Sequence, residues 1–172
     1  MENLEANEYA PFYQTYIDMV ANDGKNIIEN LEDSIQYALR ILRALPYEKH
    51  GYRYAEGKWT IKEIVQHLID TERIFNYRAL RFARWDPTDL AGFDENLYVD
   101  NSNANYREFF VLLEEFAILR KNTVLLYKSF SHDALTARGT ANENTMSVRA
   151  LGYITSGHVL HHLKVIQERY LP

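Results

Sequence analysis

The sequence predicts an all-α fold, a four-helix bundle with a short extra N-terminal helix, and three observations carry that prediction. Apolar residues recur at three- and four-residue spacing over four long stretches, the pattern of amphipathic helices. Only 7 Gly and 4 Pro occur in 172 residues, too few for a many-turned β protein. A 47% hydrophobic share with 13% aromatic residues fills a bundle core at this length, so one domain over residues 1–172 is expected.

The extra helix is read over Tyr9–Val20, where Tyr9, Phe12, Tyr13, Tyr16, Ile17 and Val20 form an aromatic face suited to capping one end of a bundle. The first long helix runs from about Asn26 to Ala44 on Ile27, Ile28, Leu31, Ile35, Ala38, Leu39 and Leu42, and Pro46 stops it. The second begins at Thr60, whose spacing to Glu63 is that of a capping box, with Trp59 and Ile64 placed as a hydrophobic staple. It extends to about Trp85, before Asp86-Pro87. The third spans roughly Asn103–Phe130 on Phe109, Leu112, Leu113, Phe116, Thr123 and Leu126, and the fourth runs from about Ser147 to Arg169. Two connections, Asp86–Ser102 and Ser131–Met146, are long for a bundle. Long ordered loops are more often functional than idle, which makes both candidates for a lid.

Charge and composition exclude several functions. A formal net charge of −5 offers no electrostatic footprint for nucleic acid. With no cysteine, any metal has to be held by imidazole or carboxylate. The stretch Met1–Ala10 carries Glu2, Glu5 and Glu8 and lacks the basic and apolar regions of a secretory signal. No apolar run approaches the roughly 20 residues that span a bilayer. No membrane association and a cytoplasmic location are therefore expected.

Six histidines occur, and their positions differ in what they imply. On the fourth helix Val148, Leu151, Thr155, Val159, Val165 and Ile166 set the apolar stripe, and His158 and His162 fall near its middle, with His161 toward the edge. Imidazoles four residues apart on one face can share an ion; the alternative is a pair of core histidines, each with its own hydrogen-bond partners. His67 sits on the flank of the second helix's stripe, beside Ile64 and Thr71, and faces either a neighbouring helix or solvent. Three converging imidazoles would make an open site, with a vacant position for water or substrate. Val159 after His158 rules out the HExxH arrangement of zincins.

Among the acids, Asp70 is placed one turn after His67 to hold that ring's tautomer, or is simply solvated. Glu72 falls inside the apolar stripe of its helix and needs a cation, with Arg149 or Arg169 the expected partner. The loop Gly92-Phe93-Asp94-Glu95 supplies further acids. His50 and His132, both in loops without a partner at ligand spacing, read as surface residues. The 13 tyrosines read mainly as amphipathic residues at the core edge.

The run Lys58-Trp59-Thr60-Ile61-Lys62-Glu63-Ile64-Val65-Gln66-His67-Leu68-Ile69-Asp70, with Gly157-His158-Val159-Leu160-His161-His162 on the last helix, resembles the DinB/YfiT-like superfamily. The resemblance covers nearly the whole chain. It implies an up-down-down-up bundle, often a homodimer, with a divalent metal ion bound by His67, His158 and His162. Members include metal-dependent thiol transferases, a thiol-dependent isomerase and proposed hydrolases; contact with DNA is not implied.

The expectation is a metal-dependent enzyme of thiol-transferase or hydrolase type, using Zn²⁺ or Ni²⁺ to activate a water or a thiol. Its partner would be a small-molecule substrate, with a low-molecular-weight thiol as one class, and the loop Asp86–Ser102 would exclude water with Phe93 and Tyr98 in the pocket wall. No general base is identifiable. The alternative is a non-catalytic helical module that binds a metal or small molecule.

Overall fold

A computed structural model describes residues 4–5, 7–20 and 24–171. Glu2 of the acidic N-terminal stretch lies outside them. A 3₁₀ turn, Pro11–Tyr13, leads into α1 (Gln14–Asp18), followed by α2 (Ile27–Arg43) and the single turn α3 (Tyr47–His50). Then come α4 (Ile61–Ala83), α5 (Glu95–Asp100), α6 (Phe109–Lys128), α7 (His132–Thr136), a hairpin of β1 (Arg138–Ala141) and β2 (Asn144–Ser147), and α8 (Val148–Val165). A π-turn, Ile166–Tyr170, closes the last helix. No helix among the described residues is long and apolar enough to cross a membrane.

Local chemistry fixes the helix starts. Asn26 accepts from the amide of Glu29 at 3.0 Å, and the Glu29 carboxylate accepts from the amide of Asn26 at 2.8 Å. At α4 the expected capping box is present, Glu63 N to Thr60 Oγ1 at 3.2 Å and Thr60 N to Glu63 Oε2 at 2.6 Å. Each box satisfies amides that the first helical turn leaves without intrahelical acceptors. The third long helix begins later than its periodicity predicts. Residues Ala104–Tyr106 form a separate 3₁₀ turn before α6.

Helices α2, α4, α6 and α8 form the bundle, with α2 beside α8 and α6, and α4 beside α6 and α8. At one end Lys49, just past α2, donates to the carbonyl of Tyr170 beyond α8. There too the Tyr170 hydroxyl donates to the carbonyl of Trp59, before α4, and His50 stacks on Phe109, the first residue of α6. The ends of α2 and α8 thus meet the beginnings of α4 and α6, which is the up-down-down-up arrangement. Because α4 and α6 are parallel neighbours, the chain between them must return the length of a helix about 35 Å long. That requirement accounts for the long connection after Ala83.

The core is in two apolar parts. One gathers α1, the C-terminal halves of α4 and α6, the hairpin and the start of α8; the other gathers the C-terminal half of α2, the first halves of α4 and α6 and the end of α8. Between them lies a buried polar layer holding Ser34, Glu72, Arg120 and Thr123. Glu72 is paired there with Arg120 on α6, not with Arg149 or Arg169 as its sequence position led us to expect. Arg149 pairs with Glu8.

Both long connections are ordered. The second contains α7 and the hairpin, whose two-residue turn, Asn142-Glu143, has positive φ at both positions (50° and 62°), the conformation that matches strand twist in a tight hairpin. Leu90 in the first connection donates to Thr140 and accepts from Asn142, each at 2.9 Å, so the two connections are stitched together. The N-terminal segment does not cap an end of the bundle. Its α1 lies against the middle of α8, where a Cβ on Gly157 would come within 2.0 Å of the Tyr16 carbonyl oxygen. Only glycine admits that approach.

Candidate metal centre

The first half of α4 and the second half of α8 bring three imidazoles together. His67 Nε2 lies 3.0 Å from His158 Nε2, and His162 Nε2 lies 3.0 Å from the same atom. The ligand nitrogens of all three are within 4.8 Å of one another. His67 and His158 are buried at 3% and 5% exposure, and His162 is partly so. The flank position of His67 therefore faces a helix, not solvent, because α4 packs directly on α8.

Protons alone cannot satisfy this cluster. A neutral imidazole nitrogen is either one donor or one acceptor, yet His158 Nε2 meets two ring nitrogens at once. A cation uses all three lone pairs together. An ion held at about 2.0–2.1 Å by three imidazoles in a tetrahedral array spaces them about 3.3 Å apart, near the two 3.0 Å separations at His158.

The electrostatics favour neutral rings. Burial pulls the His67 imidazole down to about 4. Burial, reinforced by the neighbouring imidazoles, holds His158 and His162 well below the usual range. At neutral pH all three thus present lone pairs, as ligation requires. Thr71 Oγ1 sits 3.5 Å from His67 Nδ1, so the tautomer with its proton on Nδ1 leaves Nε2 free. Asp70 does not serve His67; it accepts from Gln66 at 3.0 Å and from Arg73 at 3.3 Å.

Aromatic rings wall the cluster. Trp59 lies 4.7 Å from His67 between ring centroids, and Tyr16 lies 5.2 Å from His158 and 5.3 Å from His161. His158 opens onto a cavity of about 140 Å³ that also meets Thr71, Phe75, Arg78, Phe93 and Glu95. On the other side His161 and His162 line a more open hollow of about 320 Å³ with Trp59, Tyr54 and Tyr170. Phe93 reaches the inner cavity as expected. Tyr98 instead packs against Phe93 with the rings tilted and lines a separate surface groove with Asp70. Burial and the charge of Asp94 raise the Glu95 carboxyl.

His50 is not a surface residue. It is 4% exposed, stacked on Phe109 at 3.9 Å with Nε2 3.3 Å from the Leu45 carbonyl oxygen, and takes no part in the cluster. His132 is exposed, as expected. Sequence reasoning missed Trp59 and Tyr16 as walls, although Trp59 stands within the first quoted motif and Tyr16 on the aromatic face of the N-terminal helix. It missed Arg78 altogether, since one arginine on an amphipathic helix carries no signal of its own.

The sequence model of the DinB superfamily matches residues 30–166. The chain belongs to that superfamily. The DinB fold is also evident in solved structures. One is YfiT from Bacillus subtilis, described as a probable metal-dependent hydrolase with an unusual four-helix bundle topology, at a TM-score of 0.63 and 13% identity over 98% of this chain and 91% of that one. Another is the mycothiol-dependent maleylpyruvate isomerase, at a TM-score of 0.67 and 13% identity over 86% of this chain and 61% of that one. No curated protein matches the sequence. At this identity the likeness to both structures is one of fold.

Proposed function

We propose that this DinB-superfamily protein is a metal-dependent enzyme in which His67, His158 and His162 hold one divalent ion, Zn²⁺ or Ni²⁺, beside a small-molecule site. The observation that carries the reading is the approach of three neutral imidazoles, two buried and one partly buried, to a common point. Such an ion would supply Lewis acidity that makes a water or a thiol nucleophilic at neutral pH.

The chain's own groups complete the site. Thr71 fixes the orientation of His67, while Trp59 and Tyr16 keep the rings in place and exclude water. Phe93, brought by the stitched connection, covers the inner cavity. Glu95 lines that cavity and its raised carboxyl is the group we assign to accept a proton at its carboxylate oxygens. Two compartments meet at the cluster, one at His158 and one at His162. A transferase must bring two reactants to one centre, so this favours transfer of a low-molecular-weight thiol over hydrolysis.

A homodimer fits the surface. Val111, Ile118 and Leu125 on α6, one heptad apart, are 50%, 63% and 59% exposed, an apolar line suited to a second copy.

The test is a screen of thiol-transfer and hydrolase substrates on metal-loaded protein, repeated after chelation and after metal is restored. Activity that disappears on chelation and returns with the ion supports the proposal. A tightly bound ion with no turnover of any substrate class would assign the protein as a binding module.

A further inference from the structure

We infer that Arg78 binds a carboxylate of the substrate, so that the compound handled here is a small carboxylic acid anchored at one end by this guanidinium and exposed to His158 at the other. The inference rests on the enzymatic reading above and names its substrate class.

Five arginines are buried or partly buried, and four have carboxylate partners, Arg81 with Asp86 and Arg107 with Glu115 among them. Arg120 is paired with Glu72 and Arg149 with Glu8. Arg78, 3% exposed, forms no ion pair among the described residues. It donates to the Ala91 carbonyl at 3.2 Å, has the Tyr13 hydroxyl as an electrostatic neighbour, and lies 5.9 Å from the centre of the Phe93 ring. Those neutral contacts leave donors of its five N–H groups unused and its charge uncompensated. A buried cation without a counter-charge is costly, and such a group persists where an anion arrives to meet it.

Arg78 lines the same cavity as His158. Eleven residues, three helical turns, separate it from His67, so both project from one face of α4 with Thr71 between them. Side chains on a helix lean toward its N-terminus, which carries the guanidinium back toward the histidines. The cavity of about 140 Å³ has room for roughly four or five water-sized groups, the scale of a short organic acid. Glu95 borders the same space, and among the described residues no lysine or second arginine does. One cation facing one acid suits a monoanionic carboxylate end and disfavours a phosphate dianion, which gathers several donors.

The test is calorimetric titration of succinate, acetate, benzoate, succinamide and inorganic phosphate into wild type, Arg78→Gln and Arg78→Lys, each with and without Zn²⁺, with metal content measured on the same samples. The expected result is carboxylate binding that Arg78→Gln weakens about 10- to 100-fold. Arg78→Lys, lacking the planar fork, falls between, and succinamide does not bind. In ¹⁵N-labelled wild type, succinate moves the Arg78 Nε–Hε signal, which decides the matter even if Arg78→Gln does not fold. Binding equal in wild type and Arg78→Gln, tighter binding of phosphate than of every carboxylate, or no carboxylate binding at 10-fold molar excess over a roughly millimolar Kd overturns the inference. Carboxylate binding by protein that takes up no metal supports Arg78 and refutes the metal reading; metal uptake without carboxylate binding does the reverse.

Discussion

Glu72 on α4 and Arg120 on α6 meet in the middle of the bundle through two parallel N–H···O bonds, each 2.8 Å, at 2% and 1% side-chain exposure. Arg120 Nη1 also donates to Ser34 and to the Leu31 carbonyl, and the Thr123 hydroxyl donates to Glu72, so the pair ties α2, α4 and α6. Removing one partner strands a buried charge. Glu72→Leu or Arg120→Met alone is expected to cost about 3–5 kcal/mol, and the double variant much less. Urea unfolding of the three variants checks this, and a double variant as unstable as the sum of the singles would contradict it.

Acid is expected to loosen the N-terminal segment. Glu8, 1% exposed, is raised by burial, but hydrogen bonds from Arg149, the Glu5 amide and Ser147 outweigh that and lower its carboxyl from an ordinary 4.5 to about 2. A depressed carboxyl stabilises the fold fully above pH 4.5 and loses that contribution as pH falls toward 2. The difference is about 3 kcal/mol at most. Wild type is therefore expected to lose stability between pH 4.5 and 2 more steeply than Glu8→Gln, which starts lower at pH 7. Parallel slopes in denaturant titrations of the two proteins would contradict this.

Gly157 is where the N-terminal segment presses on α8. Its replacement by alanine gains roughly 1 kcal/mol of helix propensity but places a Cβ 2.0 Å from the Tyr16 carbonyl oxygen, an overpacking cost of about 1–3 kcal/mol. The expected outcome is faster proteolysis of the segment before Val20 with the bundle still folded. Unchanged cleavage would show that the contact carries no weight.

Much of this was legible in the sequence because it is set locally. The apolar stripes marked all four bundle helices, missing most at the start of the third, Thr60 and Glu63 announced the start of α4, and the i, i+4 spacing of His158 and His162 placed both rings on one face. The DinB likeness supplied the arrangement of the helices and agreed with the helical-wheel candidacy of His67. What stayed hidden depends on which distant elements meet. Glu72 visibly needed a cation, but Arg120 is 48 residues away and was chosen by the packing of α4 on α6. His50 read as a loop residue because nothing in its neighbourhood announces Phe109. The hairpin escaped notice because its turn, Asn142-Glu143, lacks the glycine that usually signals one.

The central claim is that three imidazoles hold an ion, and elemental analysis of purified protein tests it most directly, with His158→Ala prepared alongside. The account predicts close to one Zn²⁺ or Ni²⁺ per chain in wild type and essentially none in His158→Ala. Wild type freed of metal should regain about 4 kcal/mol of stability when the ion exceeds its Kd a thousandfold. Wild-type protein that is purified without metal and takes up neither ion, or a His158→Ala variant that retains it in full, would contradict the account.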